Sequence, residues 1–421
     1  MAGDWQAGSR NGSTAPEHDA EPSGPPAAPA NARAVSSEGE SPTAMRVERI
    51  ETIEGFEALR TDWERAYAAD ASAHIFVSWR WLRAWFELVP YRWAVLAARP
   101  EGSPQYTGFL PLIERGARVP GFAPVCTLQM GGRPLACYTG FVGAPAFEGD
   151  TIAAIASHLE RDPSWQRLQL EGVLDPRVEL FLERFSSDGY SVRKSQGMPS
   201  LYLPLPSSWE AFLENFHGPR TRHRLARSLA KARDSTFFGI RAAAGSAAGD
   251  DLDMLLAMWQ RRWGPKPAAP YHRAMLRRCL ENGIATLRVM VDGIRTVASY
   301  AALLDRTRRT FILYIMSHDP AYARFSPGRT MVADAIRYAI EEGFERFDFL
   351  VGADAYKIWF GARQRPTLTA VVRRGGIRGI AANGIIEGAA AVSGWARTIL
   401  GRAKRTRLVR ELWFRVRRVG R

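Results

Sequence analysis

The stretch that most constrains this chain lies between residues 285 and 351, where three short apolar strands, one helix and a fourth strand follow with only turns between them. Ala285 to Val291, Thr296 to Leu304 and Thr310 to Met316 carry the β-branched and aromatic residues of buried strands. Their turns, Asp292-Gly293 and Asp305 to Arg309, suit an antiparallel meander. Pro327 to Glu342 then repeats apolar pairs (Met331/Val332, Ala335/Ile336, Ala339/Ile340) at helical spacing until Gly343 stops it. Strand Arg346 to Val351 follows, so the helix makes a strand–helix–strand crossover. This order requires a sheet with helices on its faces, an α+β layer arrangement. No short-period repeat runs through the chain, which excludes solenoids and propellers.

The flanking residues extend the unit on both sides. Trp209 to Arg233 reads as a basic helix, Phe238 to Ala243 as a short strand, and Asp250 to Trp263 and Tyr271 to Asn282 as helices. A short helix around Tyr356 to Gly361 and a last strand, Leu368 to Val372, close the unit. Before it, Phe56 to Trp63 and Trp79 to Leu88 have helical apolar spacing, and Trp93 to Ala98 with Tyr106 to Ile113 reads as a strand pair. Asp150 to Arg161 is an amphipathic helix leading to strand Arg167 to Leu170. Pro204-Leu-Pro206 marks a boundary, so the expected division is 45–205 and 206–376.

The net charge of +14 is unevenly placed. Residues 1–44 hold two arginines against six carboxylates and are rich in Ala, Gly, Ser and Pro, which predicts a disordered arm. Residues 377–421 hold eleven Lys or Arg against two Glu, with Trp395, Ile399, Leu412/Trp413 and Val416 at helical spacing. A basic amphipathic tail of this kind suits an anionic membrane surface, and equally packing on its own domain or an acidic polymer. A further basic block, Arg220, Arg222, Arg224, Arg227, Lys231 and Arg233, is either a solvated helix face or a phosphate contact. Three Cys without metal spacing imply a reducing compartment, with no disulfide framework and no metal site. No run is apolar enough to span a membrane and no signal peptide opens the chain. The expected location is cytoplasmic, peripheral at the inner membrane if the tail binds lipid.

Two segments carry candidate chemistry. In Phe325-Ser-Pro-Gly-Arg-Thr330, Ser326 suits an N-cap and Pro327 the first helical position. The first turn holds Arg329 instead of the usual acid, and Gly328 bares the backbone. Both features suit a phosphate at the positive helix end; the alternative is an ordinary capped surface helix. In the second segment, Phe347-Asp-Phe-Leu-Val-Gly352 leads to Tyr356-Lys357. Asp348, inside an aromatic strand, is either a base or amine anchor, or the partner of Lys357 or an Arg. Tyr356 is either a proton donor or a packing aromatic beside Trp359, and His318 either a base or a turn histidine. No Gly-x-Ser-x-Gly elbow, P-loop or Gly-x-Gly-x-x-Gly is present, which removes the usual hydrolase, NTPase and dinucleotide readings.

With these residues in view, the second half resembles the GNAT acyltransferase superfamily, and within it the CelD-like branch of cellulose biosynthesis related to the FemAB peptidyltransferases. The matching pieces are Asp292-Gly293 before Val297-Ala298, then Phe325-Ser-Pro-Gly-Arg, then Gly343 before Phe347-Asp-Phe-Leu-x-Gly352, then Tyr356-Lys357. Phe76-x-Ser-Trp79 and Gly108-Phe-Leu-Pro-Leu112 extend the likeness into the first half. The resemblance implies two tandem GNAT-like units with mixed, mostly antiparallel sheets flanked by helices. It implies acetyl-CoA or another acyl-CoA as co-substrate, without a metal, and a small-molecule or saccharide acceptor. The donor's pyrophosphate would sit at Arg324, Ser326, Gly328, Arg329 and Thr330, although Pro327 removes one donor amide. The strand ending at Ile315, Met316 and Ser317 would splay from its neighbour and offer an N–H to the thioester carbonyl. Asp348 or a water chain would serve as base with His318 behind it, Tyr356 would protonate the thiolate, and Lys357 completes the catalytic set. Two rivals stand beside this reading: a FemAB-type transferase using charged tRNA, and a non-catalytic GNAT-like scaffold.

Overall fold

The computed structural model describes residues 43–117, 125–187, 189–216, 218–233, 238–245 and 247–376, together with residue 384. The disordered arm expected over 1–44 and the amphipathic tail expected over 377–421 fall outside the described residues, apart from residues 43, 44 and 384.

The chain opens with β1 (Met45–Ile50), α1 (Ile53–Ala58), α2 (Arg60–Ala69) and α3 (Trp79–Leu88). Next come β2 (Arg92–Pro100), β3 (Gly108–Ala117), β4 (Val125–Met130), β5 (Val142–Gly143) and α4 (Glu148–Arg161). β6 (Arg167–Val173), α5 (Val178–Glu183) and β7 (Tyr190–Gln196) complete the first half. The rest runs β8 (Ser200–Pro204), α6 (Trp209–Glu214), α7 (Pro219–Arg233), β9 (Gly239–Ala242), α8 (Ala247–Trp263) and α9 (Ala269–Glu281). The meander β10 (Ala285–Asp292), β11 (Arg295–Asp305) and β12 (Thr310–His318) follows, then α10 (Pro327–Glu341) and β13 (Arg346–Val351). The last elements are α11 (Ala355–Trp359), β14 (Arg363–Arg365) and β15 (Leu368–Arg374).

These strands form two sheets, ordered β1-β2-β3-β4-β6-β15-β7, with β5 paired to β3, and β14-β8-β13-β12-β11-β10-β9. Among the named strand pairs only β4/β6 and β12/β13 are parallel. The fold is therefore α+β, with two mostly antiparallel sheets flanked by helices, and the meander and crossover of 285–351 stand as expected.

Three expectations need correction. The strand Leu368 to Val372 does not close the second unit: as β15 it lies between β6 and β7 in the first sheet. Conversely β8, ahead of the expected boundary at 205/206, pairs β13 and β14 in the second sheet. The chain thus crosses between sheets twice. Local alternation tells which face of a strand is buried; it does not tell which sheet takes the strand. Finally, the basic helix expected over Trp209 to Arg233 is broken into α6 and α7 around Gly218-Pro219. A residue before proline is sterically pushed out of the helical region, so the break belongs there.

The two halves share a core. α3 buries Trp79, Trp81, Leu82, Ala84, Trp85 and Phe86, leaving Arg80, Arg83 and Glu87 on the remaining stripe, and Ser78 caps it by accepting from the Trp81 N–H. So wide an apolar face has to be covered, and one cluster joins Phe76, Trp81 and Tyr138 of the first half to Leu255, Met275 and Tyr314 of the second. Two buried imidazoles sit in this region. His74 lies against the rings of Phe76 and Tyr138, and His272 against those of Trp259 and Tyr314. Burial pushes both imidazoles down to about 4.

A buried ion cluster fastens the first half. Arg177 Nη2 reaches Asp70 Oδ2 at 2.7 Å and Asp175 Oδ2 at 2.6 Å, while the Gly143 N–H donates to Asp70 Oδ2 at 2.9 Å. Arg177→Met leaves two buried carboxylates without their cation, so a loss of about 3–5 kcal/mol is expected in urea unfolding. The histidines predict a pH effect of definite sign. They are neutral in the folded chain down to about pH 4, whereas the unfolded chain protonates them near 6.5. Stability is therefore full above about pH 6.5 and falls as pH drops towards 4, by about 3 kcal/mol for each imidazole. In thermal denaturation the decline between pH 7 and 4 becomes shallower in His272→Gln.

Candidate functional site

The site begins where two parallel strands part. β12 pairs with β11 along its length, with a bulge at Tyr314: Ala301 faces Ile315 and Ala302 faces Leu313. β13 pairs with β12 only between Thr310–Ile312 and Arg346–Asp348. Beyond that point Leu350 adopts a left-handed backbone, φ +62°, and the ladder ends. A branched residue in that region costs about 1–3 kcal/mol and persists only when its surroundings hold it. Here the Leu350 N–H donates to Asp348 Oδ1 at 2.7 Å. The expected splay beside Ile315, Met316 and Ser317 is thus present and already open at Leu313.

Asp348 is itself held from several sides. Arg365 Nη2 donates to Oδ2 at 2.6 Å, and the Tyr138 hydroxyl donates to Oδ1 at 2.8 Å. Arg365 Nε also donates to Ser200 Oγ at 3.0 Å. The carboxylate is buried and does not line the cavity described below. Of the two readings open for Asp348, the geometry matches the ion pair, with Arg365 as partner in place of Lys357. Lys357 turns elsewhere: its Nζ donates to the carbonyls of Val351 and Gly352 at 2.9 and 3.0 Å and pairs with Asp354 at 3.1 Å. That grip fixes the turn leaving β13. On the opposite strand, the Tyr314 hydroxyl donates to the Leu135 carbonyl at 2.8 Å and lies 3.0 Å from His272 Nδ1. Leu135 and Tyr138 belong to one segment between β4 and β5, so a single piece of the first half touches both diverging strands.

The opening leads into a cavity of about 880 Å³, large for a small-molecule site, where roughly 300–1,000 Å³ is usual. At one end it is lined by His318, Ser326, Gly328 and Arg329, with Arg262 at the end of α8 and Lys266 just after it. Arg262 Nη1 lies 3.4 Å from His318 Nδ1, and a Cβ on Gly328 would stand 3.1 Å from that same nitrogen. The imidazole therefore packs on the bare helix start, which is a steric reason for glycine. Arg329 lies over the Trp359 ring at 4.4 Å. Among the described residues, no carboxylate is within ion-pair distance of Arg262, Lys266 or Arg329. Three cations gathered without counter-charge at one end of a cavity suit an anionic ligand.

Pro327 opens α10 as expected, but Ser326 does not cap it with its side chain. Its backbone is left-handed, φ +54°, and its carbonyl accepts the N–H groups of Arg329 and Thr330 instead. Strand alternation turns Met316 and His318 towards the cavity, whereas Ile315 and Ser317 are buried away from it. Thr330 is also buried off the cavity, and Arg324 stacks on Phe325 outside it. Burial and the neighbouring Arg262 charge lower the His318 pKa, so it is neutral at pH 7. Tyr356 lines the cavity with 37 % of its surface accessible, its ring edge-on to Phe349. Desolvation by the crowded walls first, then the Asp354 carboxylate, raises its phenol well above the ordinary tyrosine value. It remains a protonated donor through neutral and mildly basic pH.

Sequence reasoning missed Arg262, Lys266, Tyr138, His272, Tyr314 and Arg365. Arg262 and Lys266 look like an ordinary helix end, and nothing local marks the others, because each matters through a partner more than a hundred residues away or from another element. It also missed the part of the cavity wall made by the first sheet and its loops, Arg115, Gln129, Arg133, Glu171, Thr367 and Thr369. There Arg133 pairs with Glu171 at 2.9 Å.

Comparison with known proteins agrees with this arrangement. Residues 219–358 match the family model of the acetyltransferase (GNAT) domain. Among solved structures, that of FemX superimposes with a TM-score of 0.54 at 12 % identity, covering 77 % of this chain and 96 % of that one. The C-terminal domain of a putative lysylphosphatidylglycerol synthetase from Agrobacterium fabrum gives 0.48 at 12 % identity, covering 79 % and 96 %. A tandem GNAT protein from the clavulanic acid biosynthesis pathway gives 0.45 at 11 % identity, covering 79 % and 99 %. No curated protein matches the sequence. The segment 219–358 is similar to a GNAT acetyltransferase domain, and the two-sheet architecture around it is similar to the fold of FemX.

Proposed function

We propose that this chain moves an acyl group from acyl-CoA to the amine or hydroxyl of a small-molecule or saccharide acceptor, as a CelD-like member of the GNAT superfamily working in polysaccharide or cell-envelope metabolism. The observation that carries this reading is the joining, in one cavity, of an uncompensated cationic end at the α10 start with the parted strands β12 and β13.

In this scheme Arg262, Lys266 and Arg329 bind the donor's phosphates beside the α10 start, where backbone N–H groups and the helix dipole favour negative charge. The thioester lies in the splay, where a main-chain N–H near Met316 donates to its carbonyl oxygen. As the acceptor nitrogen or oxygen attacks the carbonyl carbon, the oxygen gains negative charge, and such a preorganised donor is worth about 3–4 kcal/mol in the transition state. The acceptor's proton passes to His318, which is neutral and lines the cavity, directly or through water. The C–S bond then breaks and Tyr356 protonates the departing thiolate. Asp348 positions the strand and takes no proton, since Arg365, Tyr138 and the Leu350 N–H already occupy its oxygens.

A second reading, transfer of an aminoacyl group from charged tRNA, is favoured by α7, which exposes Arg220, Arg224 and Arg227. No helix among the described residues is long and apolar enough to cross a membrane. Contact with an anionic membrane surface is assigned to residues 377–421.

Thermal shift and turnover test the scheme. Acetyl-CoA raises the melting temperature with the modest salt dependence of three cation–phosphate contacts, whereas charged tRNA binding that weakens steeply with salt would move the assignment to the second reading. Neither ligand stabilising the protein would leave only a scaffold. Arg329→Ala weakens donor binding about tenfold, as expected for one lost charge-assisted contact. Tyr356→Phe lowers turnover by about 10²–10⁴ while donor affinity holds. Full turnover in Tyr356→Phe would refute the catalytic scheme.

A further inference from the structure

Nine large apolar side chains stand exposed among the described residues, and four of them, Met198, Trp263, Tyr271 and Tyr356, line the one cavity that holds the cationic end. Their accessibility, 36 to 43 %, is high for residues of this size that sit within a concave wall. Leu313, Phe349, Leu350, Val351, Ala136 and Cys137 continue the apolar lining between the parted strands. An acetyl group presents a single methyl and would leave most of this wall in water. Wetted apolar surface concentrated in one cavity marks the place where an apolar ligand replaces water.

The order of residues along the wall points to what that ligand is. Trp263 follows Arg262 directly, with the guanidinium 5.1 Å from the indole centroid, and Tyr271 follows Lys266 by one turn of α9 and a short loop. The apolar wall therefore begins beside the cations, and one molecule with an anionic end and an apolar chain would complement both. Resting on the acyl-transfer reading above, we infer that the donor is a long-chain acyl-CoA, its phosphates at Arg262, Lys266 and Arg329 and its chain against Trp263, Tyr271 and Met198.

Calorimetric titration of the full chain with acetyl-, butyryl- and octanoyl-CoA tests this, all below their micellar concentrations. Each methylene taken out of water tightens binding by about fourfold, so with incomplete burial octanoyl-CoA is expected to bind at least about 100-fold tighter than acetyl-CoA. Trp263→Ala and Tyr271→Ala flatten the series, whereas Ile294→Ala, at an exposed hairpin tip outside the cavity, leaves its slope unchanged. Equal affinity for acetyl- and octanoyl-CoA would overturn the long-chain inference and leave the acyl-transfer reading standing. A steep series that neither cavity variant alters would place the chain elsewhere and overturn it as well. Binding of no CoA ester would remove the acyl-transfer reading itself, and this inference with it.

Discussion

The candidate site depends on one segment of the first half, Leu135 to Tyr138, which holds both strands of the opening in the second sheet. At its start the Leu135 carbonyl accepts the hydroxyl of Tyr314, the bulged residue of β12. At its end the Tyr138 hydroxyl donates to Asp348 of β13. Two strands paired in parallel over three residues would ordinarily continue pairing, because unpaired backbone groups in a buried position are costly. Here the continuation is prevented on both sides, by the Tyr314 bulge and by the left-handed Leu350. Both irregularities are tied by hydrogen bonds to the same segment or its partners. The first half is in this sense part of the second half's site, and the shared core around Trp81, Tyr138 and Tyr314 gives that tie a rigid base.

The charges divide the labour. Asp348, Arg365, Lys357 and Asp354 pair among themselves and with main-chain groups, and they shape the β13 side of the opening. Arg262, Lys266 and Arg329 have no such partners among the described residues and face the cavity. Tyr356 and His318 are both held in their neutral forms at pH 7, one by desolvation and a nearby carboxylate, the other by desolvation and a nearby guanidinium. A neutral acid and a neutral base lining one cavity with a cationic end form a set suited to group transfer from an anionic donor.

Much of this was legible along the chain. The meander, the crossover helix with its Pro327 start and Gly328, and the strand carrying Asp348 all follow from local periodicity and turn chemistry, and they stand where the sequence put them. Tyr356, His318, Gly328 and Arg329 do line one cavity. Asp348 was correctly seen as a buried carboxylate needing a partner, but Arg365 lies across a turn with no periodic signature linking the two. The strand β15 was recognised as a strand and assigned to the wrong sheet, since its alternation of Ala370 and Val372 fits an inner face of either.

By itself, then, the amino-acid sequence determined the meander, the crossover helix with its Pro327 start and the strand carrying Asp348, because these depend on spacing within one turn or one strand. Only the tertiary structure decided which strands share a sheet, which cation meets Asp348, and that Leu135 and Tyr138 grip the two sides of the opening. Those contacts join residues 17 to 210 positions apart, and their energy lies in burial and hydrogen bonding between elements, which no local pattern records.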